Sequence, residues 1–371
     1  MNLYATIGVG LETVVSRELA ALGLEVLRVE PGRVRFAGSH PELYRALVNL
    51  RCVSRVVREI AFEEIEREDD VYEAAREVDW PALFGVGETF RVTFNAHSSL
   101  VRNSRFQTYR IKDAICDCFL QRCGRRPDVD TKAARVHVYC YLENRRYSIG
   151  LDGAGEPLHM RGYRVTQHIA SLREHLAAAI VLQSGWQAAT PLHDPFCGSG
   201  TIPIEAALIA TRTPPSLWRT RFGCEGWTDF DPEAFAGARA QALEQRVEVP
   251  GLRISGGDID ASAIELARQN LRSAGLQHAV TLRHEAVSEM APVLDGTLIA
   301  NPPYGERLSD GSVRDAWIGL RQAALRCKGS TVVVLQASPD FEKLMSLRPF
   351  KKNRMNNGSL QCTLYQYRIL R

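Results

Sequence analysis

Apolar positions along the chain recur with two periods, alternate residues in short runs and every third or fourth residue in longer ones, and the two kinds of segment take turns. In the first sixty residues LYATIG reads as a strand, Leu11 to Leu22 as a helix ended by Gly23, and LEVLRVE and RVRFAG as strands joined at Pro31-Gly32. A helix from Pro41 to about Leu50 completes a small α+β unit. A second unit follows with a helix at Val71–Glu77, the strand TFRVTFNAH, a basic helix near Asn103–Arg122, and a hairpin of ARVHVYCYLE and RRYSIGLDG turning at Asn144. Residues 153–164, ending in RGYR, read as a connector.

From about Arg173 the rhythm changes. REHLAAAIVLQSGW is a strong helix former, LHDPFCGSGT is a strand entering a glycine turn, and IPIEAALIATR is the next helix. RISGGDID, ASAIELARQNLRSAG, AVTLRHEAV, TLIANPPYG, a helix at Ser312–Arg326 and GSTVVVLQAS continue the alternation. Alternating strand and helix predicts a parallel, doubly wound α/β sheet with helices on both faces. An insertion rich in Arg, Trp and Pro, about 211–251, interrupts it.

The length of 371 residues predicts more than one domain. A 45% hydrophobic and 24% charged composition excludes wholesale disorder and fibrous classes. No stretch approaches eighteen uninterrupted apolar residues and the N-terminus has no export pattern, so neither membrane spanning nor secretion is expected. Nine scattered cysteines without CxxC pairs predict reduced thiols in a cytosol and no metal site.

The formal net charge of +3 conceals a polar distribution. Between Glu59 and Asp79 ten acidic residues face two arginines, which predicts a solvated face. Between Ser98 and Arg135 nine basic residues face four aspartates, and the arginines alternate with Phe106, Tyr109 and Phe119. Arginine pairs with phosphate and stacks on bases, so Arg102, Arg105, Lys112, Arg125 and Arg126 are the candidate RNA-binding residues.

Three strand-end loops carry the candidate chemistry, because ligands of open α/β sheets bind outside the carboxyl ends of strands. In Asp194-Pro195-Phe196-Cys197-Gly198-Ser199-Gly200-Thr201 two glycines permit a tight turn with close backbone approach to a ligand, before a helix N-terminus. The dinucleotide fingerprint requires a small residue where Pro203 stands, which argues against a nicotinamide cofactor. In Gly257-Asp258-Ile259-Asp260, Asp258 is placed to accept ribose hydroxyls, and Asp260 to cap the next helix. In Asn301-Pro302-Pro303-Tyr304 a rigid turn exposes carbonyls beside an aromatic face. The Asn301 side-chain oxygen and the Pro302 carbonyl can accept both hydrogens of a planar NH2 while Tyr304 stacks on its ring.

The order DPFCGSGT, GGDID, NPPYGERL resembles class I methyltransferases that use S-adenosylmethionine. With RGYR, LAAAIV and SGW added, the chain resembles the THUMP-domain 23S rRNA guanine-N2 methyltransferases of the RlmL type. The resemblance implies a ferredoxin-like leader at 1–58, a THUMP RNA-binding domain at 59–160 and a Rossmann-like class I methyltransferase domain at 161–371, without the second methyltransferase to which some relatives are fused. It also implies that residues Asp194 to Thr201 hold the methionine portion of the cofactor, Asp258 with Ile259 its ribose side, and Asn301 to Tyr304 the base. Where the family places an aspartate for the adenine amino group this chain has Ala286, and the neighbouring Glu285 is the carboxylate expected to substitute. The partner implied is 23S rRNA or its precursor particle. Alternatives with the same motif are methylation of adenine N6, of a tRNA guanosine or of a protein glutamine; a further alternative is an RNA-binding assembly factor with a vestigial cofactor site.

Overall fold

The computed structural model describes residues 1–166, 172–303 and 310–371, with side chains from 313 onward in the last segment. It divides into two compact units. The first comprises residues 1–7, 16–158 and 219–241. The second comprises residues 8–15, 159–218 and 242–371.

The first unit is built on one seven-stranded sheet. Its strands are β1 (Asn2–Thr6), β2 (Val26–Glu30), β3 (Arg33–Ala37), β4 (Arg55–Glu64), β5 (Phe90–His97), β6 (Val136–Glu143) and β7 (Arg146–Asp152), in the order β2-β3-β1-β4-β7-β6-β5. Its helices are α1 (Glu12–Ala21), whose first four residues cluster with the second unit, α2 (His40–Asn49), α3 (Asp70–Glu77), the single turn α4 (Trp80–Leu83) and α5 (Ser104–Cys123). The start of the acidic run belongs to β4, which pairs with β1 on one side and β7 on the other. The expected boundary at residue 58 therefore falls inside a strand that joins the two halves of one sheet. The rest of the acidic run is partly neutralised by the basic helix: Arg122 reaches Asp79 at 2.6 Å and Arg110 pairs with Asp69.

The second unit carries β8 (Leu192–Asp194), β9 (Ile254–Asp258), β10 (Val280–His284), β11 (Thr297–Ala300), β12 (Thr331–Gln336), β13 (Lys351–Asn357) and β14 (Leu360–Arg368). The order is β10-β9-β8-β11-β12-β14-β13. β8 to β12 are parallel, as expected, whereas β14 enters antiparallel between β12 and the edge strand β13. The helices are α6 (Glu174–Ser184), α7 (Thr201–Ala210), α9 (Ala261–Ser273), α10 (Asp310–Arg326) and α11 (Asp340–Met345), while α8 (Pro232–Glu244) begins in the first unit. Residues Thr201 to Leu208 of α7 are all buried, which explains why its sequence is apolar on every face. Within the expected insertion, residues 219–241 pack into the first unit: Phe235 lies edge-on to Tyr44 of α2 with ring centroids 5.2 Å apart, and the Tyr44 hydroxyl accepts from the Asp231 amide. Among the described residues no helix is long and apolar enough to cross a membrane.

Candidate active site

β8, β9 and β11 lie side by side at the centre of the second sheet, so their carboxyl ends open into one place. A cavity of about 1520 Å³ lies there, lined by Asp194 to Ser199, Thr201, Asp258 to Asp260 and Asn301 to Pro303. Its size exceeds the roughly 300–1,000 Å³ usual for one small-molecule ligand. All three motif loops thus converge, while Tyr304 lies outside the described residues.

The glycine turn is held from two sides. The Cys197 amide donates to the Gly257 carbonyl at 2.9 Å, and the Gly198 amide donates to Asp258 Oδ2 at 2.8 Å. Asp258 Oδ1 accepts from the Asp260 amide at 3.0 Å, and Asp260 caps α9 through the Ser262 amide. Asp258 therefore ties the two loops together and retains lone pairs for a ligand hydroxyl. Gly198 has φ +51° and open space where a Cβ would stand. Gly200 sits behind the cavity lining, and its φ of +81° places it where a Cβ would sit 3.1 Å from Ala267 Cβ of α9. Cys197 is likewise buried, its Cβ under 3 Å from where a Gly256 Cβ would stand. Ile259, at 74% exposure, offers an apolar surface at the rim.

Asp194 is fully buried, with Oδ1 accepting the Phe196 amide at 3.0 Å. Burial, with the nearby Asp258 carboxylate adding to it, pushes its carboxyl up to about 8. Such a group favours a cationic or hydrogen-bond-donating ligand. Asn301 Oδ1 is buried with no hydrogen-bond partner among the described residues. Glu285 differs from its expected place. It does not line the cavity, as Ala286, Val287 and Ser288 do, and its buried Oε1, without a hydrogen-bond partner among the described residues, lies 3.2 Å from where a Gly257 Cβ would stand. Glu285 follows the last residue of β10, and its amide donates to the Asp258 carbonyl at 3.1 Å, which keeps it beside β9.

The connector ends in the RGYR stretch, which is also an anchor. Arg161, 1% exposed, meets Glu205 of α7 at 3.3 Å, and the Tyr163 hydroxyl donates to the same carboxylate at 3.2 Å. Arg164 bonds Glu174 of α6 at 2.6 Å and the Thr201 hydroxyl at 2.9 Å, fixing the helix start below the glycine turn. Sequence reasoning also missed the wall supplied by α10 (Asp315, Ala316, Ile318, Gly319, Gln322) and by Asn357 to Leu360 between β13 and β14. The second carries a readable signal, since Gly358-Ser359 is a two-residue hairpin turn, with Gly358 at φ +64°.

In the first unit Asn103 caps α5 by accepting the Phe106 amide at 3.0 Å. Arg102, Arg105 and Arg125 are exposed and in no ion pair among the described residues, and the neighbouring Phe106 and Tyr109 are also exposed. Lys112 and Arg126 are engaged, by Asp113 and by Asp117 respectively, the latter at 2.8 Å.

Comparison with known proteins accounts for this arrangement. Residues 161–366, more than half of the chain, match the family described as RMKL-like, methyltransferase domain. The chain belongs to the RMKL-like methyltransferase family. Ahead of the RMKL-like domain, residues 66–152 match the THUMP domain and residues 2–57 the RlmL ferredoxin-like domain. SMU.472, assigned as a methyltransferase and crystallised with SAH, is 31% identical, with 100% of this chain and 98% of that one covered at a TM-score of 0.89. A predicted N6-adenine-specific DNA methylase from Listeria monocytogenes is 32% identical, with 99% and 96% covered at 0.88. TrmN from Thermus thermophilus, 21% identical with 100% and 99% covered, shares the fold at 0.73. The RMKL-like enzyme uses S-adenosylmethionine as methyl donor. Its cavity fits that role: the glycine turn is open at Gly198, and among the described residues the buried Asp194 carboxyl has one amide donor and Asn301 presents an unused acceptor.

Proposed function

We propose that the chain methylates the exocyclic N2 of a guanosine in 23S rRNA, met as naked RNA or in a precursor particle. The observation that carries this reading is Asn301 Oδ1, a buried acceptor without a donor among the described residues, in the same cavity as the glycine turn. Leaving such a group unpaired costs about 1–3 kcal/mol, a cost that an incoming N–H removes. An exocyclic amine brings two such hydrogens. The Pro303 carbonyl already accepts from Trp317 Nε1 at 3.3 Å, so Asn301 Oδ1 and the Pro302 carbonyl are assigned the two amine hydrogens. When bound, S-adenosylmethionine supplies a methyl group on a sulfonium open to displacement. The chain's part is to unstack the base, orient its amine and accept its hydrogens as the nitrogen becomes tetrahedral. The proton of the methylated amine can then leave to water, so no strong base is assigned. Tyr304 is assigned the stacking face.

The RlmL ferredoxin-like and THUMP matches support RNA as the acceptor, and the unpaired Arg102, Arg105 and Arg125 are assigned to its backbone. All nine cysteines are free and eight of them buried, which supports a reducing, cytosolic setting. Adenine N6 is the second reading, because the Listeria relative carries that assignment. Nucleoside mass spectrometry of 23S rRNA from a deletion strain, treated with the protein and labelled S-adenosylmethionine, separates them. Labelled N2-methylguanosine is expected; labelled N6-methyladenosine would move the reading to adenine. Asn301→Ala should lower turnover about 100-fold or more, the scale of losing one transition-state hydrogen bond, with SAH affinity within a few-fold. Full activity in that variant would remove Asn301 from the mechanism.

A further inference from the structure

Among the described residues four aspartates line the cavity: Asp194, Asp258, Asp260 and Asp315. The first three have local partners, since Asp194 accepts the Phe196 amide, Asp258 the Gly198 and Asp260 amides, and Asp260 the Ser262 amide at the start of α9. Asp315 has no hydrogen-bond or ion-pair partner among the described residues. It stands on α10, which turns Asp315, Ile318, Gly319 and Gln322, three or four positions apart, toward the cavity and buries Val313, Trp317 and Leu320 in the core. β11 and β12 are parallel, so α10 runs back from the carboxyl edge of the sheet and Asp315 lies nearer that edge than Gln322. Gly319 fixes what this row faces. A Cβ there would stand 3.0 Å from Val287 Cγ1 and 3.9 Å from the Ser288 amide nitrogen, so the helix backbone rests against the loop that follows β10. Asp315 precedes Gly319 by one turn, about 5–6 Å between Cβ positions, and therefore borders the cavity beside that loop.

The loop itself is poor in acceptors. Ala286 has no polar side chain, and Glu285 does not line the cavity. The Ala286 carbonyl already accepts the Glu289 amide and the Ser288 carbonyl the Arg326 guanidinium, both at 2.9 Å. Exposed Ile259 and the neighbouring Val287 give a ring apolar surface and nothing polar from their side chains. The adenine of the methyl donor carries a 6-amino group with two N–H donors, and a donor withdrawn from water needs an acceptor. The Ser288 hydroxyl and the Gln322 amide both donate and accept, so neither distinguishes that amine from an oxygen. An ionised carboxylate only accepts, so Asp315 can receive an amine and repels a carbonyl in its place. The same negative charge repels phosphate, which argues against a role on the RNA backbone.

We propose that Asp315 of α10 is the residue by which this chain selects the adenine of S-adenosylmethionine, its carboxylate accepting the 6-amino group beside the acceptor-poor loop at Ala286. The assignment concerns the cofactor and is independent of which base is methylated. Calorimetry with SAH and with S-inosylhomocysteine, which carries oxygen in place of the amine, reads it without any RNA. Wild type should bind SAH about tenfold or more tightly than the oxygen analogue, the scale of one hydrogen bond to a charged group. Asp315→Asn supplies an amide that can also donate to the oxygen, so this preference should fall by about fivefold or more. Asp315→Ala should weaken SAH by about the same factor and leave the oxygen analogue as tightly bound as in wild type, or more so. Ser288→Ala, Gln322→Ala and Glu285→Gln should keep the wild-type preference. Asp315 is exposed on a helix, and a Tm within about 2 °C of wild type certifies that its variants are folded. An unchanged preference in both Asp315 variants would overturn the assignment, and a KM for a 23S rRNA transcript raised in those same variants would move the carboxylate to the acceptor base. A wild type that binds the two analogues equally would overturn it too, as would a preference that collapses in Glu285→Gln, which would return the role to the end of β10.

Discussion

Arg161→Met isolates the energetic role of the RGYR stretch. In the native protein the guanidinium sends Nε and Nη2 to the two oxygens of Glu205 at 3.3 and 3.4 Å, and both side chains are essentially shut off from water. Methionine preserves much of the volume but leaves the Glu205 carboxylate in a low-dielectric site, with the Tyr163 hydroxyl at 3.2 Å as its remaining side-chain donor among the described residues. Breaking a buried pair from one side costs about 3–5 kcal/mol, chiefly the desolvation of the stranded charge. In a unit of this size each kcal/mol lowers Tm by about 2–4 °C, so Tm should fall by about 6–20 °C. Arg161→Met with Glu205→Leu removes both charges and should recover most of the loss, since apolar replacement of a buried pair is often neutral. Chemical denaturation of the four corners of this cycle, followed by circular dichroism, gives the coupling directly. We expect at least about 2 kcal/mol, the buried end of the pair scale. A single Met variant within about 1 kcal/mol of wild type, in the range of exposed pairs, would refute the reasoning, because it would mean that the pair is solvated.

Asp194→Asn tests the buried carboxyl. Its pKa is raised from the ordinary 3.8 to about 8, so the folded protein keeps a proton that the unfolded chain loses between those values. Native stability from this group is complete below pH 4 and is lost as pH rises to 8, with a slope of up to about 1.4 kcal/mol per pH unit. The Asn variant should therefore gain stability relative to wild type from pH 5 to pH 9 in urea unfolding while losing SAH affinity; a pH-independent difference would contradict the assignment. Asp258→Ala frees the Gly198 and Asp260 amides and should weaken SAH binding at least tenfold in calorimetry, since one change loosens both loops. Charge reversal at Arg102, Arg105 and Arg125 should reduce the salt dependence of RNA binding more than reversal at Lys112 and Arg126, whose charges are already engaged; equal effects in a filter-binding titration would show that ion pairing does not decide which cations reach RNA.

The residues that the sequence marked by itself are those whose task is local. A glycine at positive φ, carboxylates one and three residues before a helix, a double proline after an apolar run and a change of apolar period all act within a few positions, so Gly198, Asp258, Asp260, Asn301 and the β/α alternation were readable directly. What needed the tertiary structure depends on partners far along the chain. β4 reads as a charged run because its apolar contacts come from strands on both sides, and only the sheet shows that it joins two halves. Arg161 and Glu205 are 44 positions apart and Arg110 and Asp69 are 41 apart, so neither pairing has a local signature. Glycines alike in sequence diverged for the same reason: Gly198 faces the cavity, whereas Gly200 makes room for Ala267 on α9. The hairpin turn at Gly358-Ser359 was legible as a turn, but its placement beside Asn301 was decided by β14 entering the sheet next to β12, a choice made by burial of its apolar face.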